Sequence, residues 1–355
     1  MGLALRICPE YYGVCLQKPF ALQKETAVTV IASHKVYLGI CRCAPDNYRN
    51  EESRNMQNQQ DSFRSGFIAI VGRPNVGKST LMNMLVGEKI AIVSNRPQTT
   101  RSRIMGIYSE ANAQMVFLDT PGMHTPRTRL GEYMMQAVKE ALQGIDALMV
   151  MVDATCVGKQ DYALVQDMST RKVKKLLILN KIDLLPKENL LSLIESFAEA
   201  GYDDIVPISA LKADGVAQLK KLLLGYLPEG PRYFPEDAVT DQPERMICAE
   251  LIREKALMHL SEEVPHGVGV EMMSIQKKSE NMTEIHATIY CERNSHKGII
   301  IGKQGSMLKR IGQEARQEIE MLMGTRINLQ LWVKVREDWR NRQGDLYTLG
   351  YNKTE

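Results

Sequence analysis

No stretch of the 355 residues reaches the ~18 consecutive uncharged apolar positions that a membrane span requires. A basic n-region leading into an apolar core and a small-residue cleavage site is also missing, so secretion is not expected. The seven cysteines include no C-x2-C pair; Cys8, Cys15, Cys41 and Cys43 are spaced C-x6-C and C-x-C, which argues against structural zinc and against a disulfide framework. Reduced thiols are expected. The net charge of +3 is too small to name a partner, so any basic surface must be local. With 25% charged and 44% apolar residues, neither a fibre nor a chain disordered throughout fits. No internal repeat is visible.

At roughly 150 residues per domain, two or three domains are expected. Residues 1–61 stand apart: charges nearly cancel, a lone β-like run spans Ala27–Ile31, and the polar stretch from Asn47 to Asp61 reads as unstructured. They are either an accessory extension or the product of a mis-called start, with Met56 as the alternative initiator; the second reading is preferred. From Gly66 onward, short apolar runs alternate with helical stretches. The runs are 67–71, 115–118, 147–152, 176–179 and 205–208, the pattern of a mostly parallel α/β sheet flanked by helices. Four prolines between Leu227 and Pro243 mark a linker. Beyond it lie a helix at 244–261, an antiparallel hairpin from 267–275 and 283–290, a helix reaching Met323 and a strand at 327–335, an α+β domain. The expected boundaries are therefore 1–61 extension, 62–228 α/β domain, 229–242 linker and 243–355 α+β domain.

Gly72-Arg73-Pro74-Asn75-Val76-Gly77-Lys78-Ser79 fits G-x-x-x-x-G-K-[ST] between a strand and a helix, the setting of a phosphate-binding loop. Its glycines let backbone N–H groups curl around phosphates, and the helix N-terminus adds partial positive charge. Lys78 can reach the β- and γ-phosphates, and the Ser79 hydroxyl can ligate Mg²⁺. Asp119-Thr120-Pro121-Gly122 follows the next long apolar run; Asp119 is expected to hold Mg²⁺ through a water and the Gly122 N–H to sense the γ-phosphate. Asn180-Lys181-Ile182-Asp183 selects guanine: the Asp183 carboxylate accepts from N1–H and N2–H₂, Asn180 donates to the base edge, and the Lys181 stem lies over the ring. Ser209-Ala210 is expected to set a backbone N–H at guanine O6. A site built around such donors rejects the wrong base by about 10⁴-fold. In Gln98-Thr99-Thr100-Arg101, a threonine that ligates Mg²⁺ only when the γ-phosphate is present makes a two-state switch, and Thr100 is preferred over Thr99. GTP/GDP and Mg²⁺ are thus the expected ligands.

With GRPNVGKS, QTTR, DTPG, NKID and ISA in this order, the chain resembles the Era family of translation-associated GTPases. LPEGPRYFPEDAVTDQPER and VKVREDWRNR are also similar to it, so the resemblance spans about 64–350 and leaves out 1–61. It implies a P-loop GTPase domain followed by a type II KH domain. Met123 stands where many small GTPases carry a water-orienting glutamine, so slow intrinsic hydrolysis is expected. The resemblance also implies a role for Asn75 in binding K⁺, against the plainer reading that Asn75 only shapes the loop.

Gly302-Lys303-Gln304-Gly305 fits the GXXG loop with which KH domains clamp about four nucleotides of backbone. Ile299-Ile300-Ile301 precedes it as an apolar shoulder for bases. Arg293, Lys297, Lys303, Lys309 and Arg310 fall in a stretch without an acid, a local basic stripe. Lys334, Arg336, Arg340 and Arg342 read equally as RNA contacts or as an ordinary charged surface. The target implied by the resemblance is the 3′ end of small-subunit ribosomal RNA in the 30S subunit, and the implied place is the cytoplasm, with peripheral membrane association. The helix at 244–261 could offer a face to a membrane, but its apolar face reads first as core. The expected function is a GTP-hydrolysing switch assisting 30S maturation; the rival is an RNA-binding scaffold whose nucleotide is structural.

Overall fold

The computed structural model describes residues 63–351, and the expected extension at 1–61 lies outside the described residues. Six strands form the first sheet: β1 (Arg64–Gly72), β2 (Ile104–Glu110), β3 (Ala113–Asp119), β4 (Ala147–Asp153), β5 (Lys174–Asn180) and β6 (Asp204–Pro207). Their order is β2-β3-β1-β4-β5-β6, with every neighbouring pair parallel except β2 and β3. Five helices cover the faces: α1 (Lys78–Val86), α2 (Arg129–Ala141), α3 (Lys159–Ser169), α4 (Lys187–Phe197) and α5 (Val216–Tyr226).

The central strands are apolar at consecutive positions because both their faces are covered. Ile68 and Ile70 of β1 pack with Leu81, Leu85, Leu219 and Leu223 of α1 and α5, while Ala69 and Val71 pack with Val138, Val165 and Phe197 of α2, α3 and α4. The antiparallel strand β2 was not anticipated from the sequence. It is a sheet edge, and the linker covers it: Ile107 N donates to Val239 O (2.9 Å) and Thr240 Oγ1 to Met105 O (2.7 Å). Capping an open edge in this way removes a template for unwanted pairing.

The second half contains α6 (Glu244–His259), β7 (Gly269–Ser279), β8 (Met282–Cys291), α7 (Asn294–Ile301), α8 (Ser306–Met323), β9 (Arg326–Val335) and α9 (Gln343–Thr348). The sheet order is β7-β8-β9, antiparallel then parallel. Ile285, Ala287 and Ile289 of β8 meet Ile247, Leu251 and Ala256 of α6 and Ile311, Ala315 and Ile319 of α8, where the i, i+4 spacing puts three side chains on one face. The helix weighed for a membrane is this α6, and its apolar residues are core. No described helix is long and apolar enough to cross a membrane.

Candidate nucleotide site and nucleic-acid loop

The strands β1, β3 and β5 end on the same side of the sheet, so the loops that follow them meet there. They enclose a cavity of about 440 Å³, lined by Pro74, Asn75, Lys78, Ser79, Thr100, Gly122, Asn180, Lys181, Asp183, Ser209 and Ala210 among others. The volume falls in the range of small-molecule and cofactor sites, roughly 300–1,000 Å³. Close approach dictates the glycines. A Cβ on Gly72 would lie 2.5 Å from Met151 O, and one on Gly122 would lie 2.7 Å from Pro74 N and Cα. At Gly77 it would meet Asn180 Nδ2 at 2.3 Å, and the backbone there is left-handed with φ +102°. The two phosphate-facing loops are thus locked together with no room for a side chain between them.

Lys78 is buried and donates to Gly72 O (3.3 Å) and Arg73 O (3.0 Å). Burial pulls its ammonium down to about 8, with nearby Asp119 pushing the other way. Arg73 pairs with Asp161 of α3 (2.8 Å), and Thr120 Oγ1 donates to Ile70 O (2.8 Å), so both flanks of the loop are fixed. Pro121 lies buried, and Met123 N donates to Gly72 O (3.0 Å).

Ser79 Oγ donates to Asp119 Oδ2 (2.6 Å) and lies 2.8 Å from Thr100 Oγ1. Thr100 Oγ1 is also 3.4 Å from that carboxylate oxygen. Burial pushes the Asp119 carboxyl up, against the pull of Lys78 and of the Ser79 and Thr100 hydroxyls. Its other oxygen, Oδ1, is buried with no partner. Two hydroxyls and a carboxylate with an orphaned oxygen make a hard-oxygen set that fits Mg²⁺. Thr99 also lines the cavity but its hydroxyl is occupied by Ser94 Oγ (2.8 Å) and Arg96 O (2.6 Å), which leaves Thr100 as the threonine whose hydroxyl meets Ser79 and Asp119.

The base end differs in detail from expectation. Asn180 does not point its amide at a base edge: Nδ2 donates to Val76 O (2.7 Å) and Oδ1 accepts from Ala210 N (2.9 Å). It ties the phosphate loop to the loop after β6. The Ala210 N–H expected at guanine O6 is therefore already bonded, and Ser209 N is spent on Asp214 O (3.0 Å). Lys181, with left-handed φ of 68°, pairs with Asp153 (2.5 Å), and Ile182 N donates to Ile208 O (3.3 Å). Asp183 is held below the usual carboxylate range, first by the Ser209 hydroxyl, and Lys212 lies 3.6 Å away. Asn75 Nδ2 reaches the switch segment at Asn95 O (3.0 Å).

In the second domain, Gly302-Lys303-Gln304-Gly305 joins α7 to α8. Gly302, Gln304 and Gly305 are all left-handed (φ 72°, 49° and 78°), and the loop opens onto the N-terminus of α8. The side chains of Lys303, Gln304 and Lys309 make no hydrogen bond or ion pair among the described residues. Lys297 lies on α7, close enough to Cys291 to act on it electrostatically. Arg310, expected as an RNA contact, instead pairs with Glu314 (3.2 Å). The isoleucine shoulder splits: Ile300 is core and Ile299 is half exposed, because the run is helical rather than extended. Of the later cations, Arg340 binds Glu292 through two hydrogen bonds (2.8 and 2.6 Å) and Arg336 lies over the Tyr290 ring, so both are structural.

A third set of residues was not anticipated at all. The segment carrying Thr100 is fastened to the second domain along its length. Ile92 packs in that domain's core, Val93 N donates to Glu254 Oε1 (2.8 Å), and Arg96 donates to Leu260 O (2.9 Å). Arg253 donates to Thr99 O, and Arg101 to Val268 O (2.7 Å) and His266 O (3.2 Å) over the Trp339 ring. Glu254, fully buried, also accepts from Lys89 (2.7 Å) and Lys255 (2.9 Å). No local pattern marks these residues, since each partner lies more than 150 positions away along the chain except the neighbouring Lys255.

The family model described as "50S ribosome-binding GTPase" matches residues 67–181, and that described as "KH domain" matches 263–340. GTPase Era of Ruminiclostridium cellulolyticum is 52% identical over 292 residues, covering 82% of this chain and 98% of the relative. GTPase Era of Clostridioides difficile is 51% identical over 294 residues, covering 82% and 99%. Among solved structures, one of Era in complex with MgGDPNP and nucleotides 1506–1542 of 16S ribosomal RNA superposes with a TM-score of 0.79 at 42% identity, covering 82% of this chain and all of that one.

Proposed function

The chain belongs to the Era family of GTPases, and from that premise we propose that it is a switch which binds the 3′ end of small-subunit ribosomal RNA through Gly302–Gly305 and assists maturation of the 30S subunit. The observation that carries the coupling is the position of Thr100. Its hydroxyl sits at the Mg²⁺-fitting oxygens, while Thr99 and Arg101 on either side are bonded to the KH domain. A ligand that draws Thr100 inward must act on a segment the KH domain also holds. By linkage, RNA that favours one arrangement then favours GTP equally. The solved relative with both MgGDPNP and 16S rRNA bound supports the pairing of ligands.

In this reading Lys78 moves its ammonium from the loop carbonyls to the β- and γ-phosphate oxygens. Gly122 offers its N–H to the γ-phosphate, and the backbone N–H groups of the turn from Gly72 to Gly77 hold the remaining phosphates on the α1 N-terminus. Asp183 takes the guanine N1–H and N2–H₂, with Lys181 lying over the ring and Asn180 bracing the two loops beside it. Ser79 and Thr100 would hold Mg²⁺ through their hydroxyls and Asp119 through a water, and the ion when bound spreads the charge developing on the phosphates. In this reading the Asn75 side chain, whose amide nitrogen reaches Asn95 O, would help to bind K⁺. Replacing K⁺ by Na⁺ at fixed ionic strength then lowers turnover; equal rates remove that element. Lys303, Lys309 and Lys297 meet RNA phosphates.

The test measures GTP turnover with and without a short RNA of the ribosomal 3′ sequence. RNA-stimulated turnover is expected. Tight RNA binding with flat turnover favours instead the scaffold with a structural nucleotide.

A further inference from the structure

Met123 cannot orient a water, and its side chain packs toward the core beneath the sheet rather than lining the cavity. A side chain in the cavity wall has the chemistry it lacks. Gln98 lines the cavity beside Thr100 and Gly122, and its backbone is left-handed (φ 59°), a conformation costly for a residue with a Cβ and retained mainly where surroundings demand it. Its amide nitrogen lies 3.3 Å from His124 Nε2. His124 Nδ1 lies 2.9 Å from Gly122 O.

These two distances determine the polarity of the whole chain of contacts. A carbonyl oxygen only accepts, so in the neutral ring Nδ1 carries the proton and donates to Gly122 O. Nε2 is then an acceptor, and only the NH₂ end of the Gln98 amide can satisfy it. The carbonyl end, Oε1, is left as a free acceptor on the arm of a residue that lines the phosphate end of the cavity. A nucleophilic water needs such an acceptor. The clasp also joins the two loops that frame the γ-phosphate, since Gln98 comes from the segment of Thr100 and His124 grips the residue whose N–H faces that phosphate.

We infer that Gln98, held by His124, orients the attacking water in GTP hydrolysis, taking from the first switch segment the task that the position of Met123 leaves undone. The inference rests on the nucleotide seating described under Proposed function. In the step itself, the water oxygen forms the new bond to the γ-phosphorus. The bond to the β–γ bridging oxygen breaks, and its electron pair leaves with GDP. The water proton ends on the released phosphate. Gln98 gains and loses no proton; it fixes where the water stands.

The test is single-turnover hydrolysis in the full chain with Gln98→Gly, His124→Ala and the double variant, alongside separate measurement of GDP and GTP-analogue affinity. Glycine relieves the left-handed backbone, so the fold is preserved. The expected result is a loss of about 10²-fold in the hydrolysis rate for Gln98→Gly with guanine-nucleotide affinity within about two-fold. The double variant is expected to fall no further than the worse single one, because the pair acts as a unit. Binding of GDP with aluminium fluoride, which mimics the planar phosphoryl group with its water in place, falls with the rate, while binding of GDP alone does not. Hydrolysis by Gln98→Gly within about three-fold of the parent overturns the inference, as do additive losses in the double variant. So do losses in GDP affinity that match the losses in rate, which would mark a purely structural clasp. If the parent chain itself fails to bind guanine nucleotide, the failure lies with the seating of the nucleotide instead.

Discussion

The nucleotide cleft and the Gly302–Gly305 loop both face phosphates, yet they are built on opposite plans. In the cleft almost every polar side chain is bonded before any ligand is considered: Lys78 to two carbonyls, Ser79 and Thr100 to Asp119, Asn180 to two loops, Lys181 to Asp153. Around the loop, the side chains of Lys303, Gln304 and Lys309 make no hydrogen bond or ion pair among the described residues. A pre-bonded cavity recognises one small ligand, because any other leaves polar groups badly paired. Unpaired lysines on an open turn recognise a charged backbone of any sequence, with an affinity that salt erodes. Removing a residue should therefore have different signatures in the two regions.

The largest contrast is expected at Lys78. Lys78→Ala removes a buried ammonium that burial already disfavours. Nucleotide affinity should fall by about 10²-fold or more, because the phosphates lose a desolvated cation. The unliganded protein should melt no lower than the parent, since a desolvated charge has been removed with it. Calorimetric melting and GDP titration of the same sample check both halves. A large drop in melting temperature would mean that the lysine is chiefly structural and would erase the contrast.

Next comes the double variant Lys303→Glu, Lys309→Glu. RNA affinity should fall by at least about ten-fold, and the slope of log K against log salt should flatten by roughly 1.4, at about 0.7 per single-strand phosphate contact. GDP affinity and melting temperature should not change. Measured by fluorescence anisotropy across a salt series, an unchanged slope would place the RNA elsewhere on the domain.

The seam between the domains gives an effect of intermediate size and tests whether the two regions communicate. Arg253→Met removes the donor to Thr99 O and keeps the apolar stem of a fully buried side chain. RNA and GTP should each still bind, while their mutual enhancement shrinks by part of a coupling that is typically about 1–3 kcal/mol. RNA affinity measured with GDP and with a non-hydrolysable GTP analogue gives the coupling directly. An undiminished ratio would show that the signal travels by another route.

These regions also differ in how far they were legible in the sequence. Apart from Gln98–Arg101, the motifs of the cleft are short runs that each follow an apolar strand, so the parallel sheet and the gathering of its loops at one end could be read together. The tasks within those motifs were less legible. Asn180 was assigned to the base, but its neighbours Val76 and Ala210 come from loops 104 and 30 positions away, and that geometry takes both ends of its amide. The seam was not legible at all. Arg101 lies within a motif read for its threonine, and its acceptor at Val268 is 167 positions distant. Trp339, in a run that reads as charged surface, is fully buried, with its indole N–H donating to Gly267 O (2.9 Å). The edge strand β2 escaped notice because its stability comes from pairing with β3 on one side and the linker on the other, not from its own pattern.

The smallest predicted effect is the one that most sharpens the contrast, because it sets two neighbouring cations against each other. Lys309 and Arg310 stand side by side at the start of α8, and of the two only the Arg310 side chain has a partner among the described residues. Glu314 accepts from Arg310 and lies 2.7 Å from His259 Nε2, so it is a local anchor for two side chains. To reach a phosphate, Arg310 would have to leave a carboxylate behind, and that carboxylate would then face the RNA. Arg310→Ala should therefore change RNA affinity by less than about two-fold and cost no more than about 0.5 kcal/mol of stability, as expected of an exposed i, i+4 pair. Lys309→Ala, which has no such pair to break, should weaken RNA binding by several-fold and leave stability unchanged. Equal losses from the two variants would mean that the existing pair does not decide which cation serves the RNA, and the distinction between bonded and unbonded residues would hold for the cleft alone.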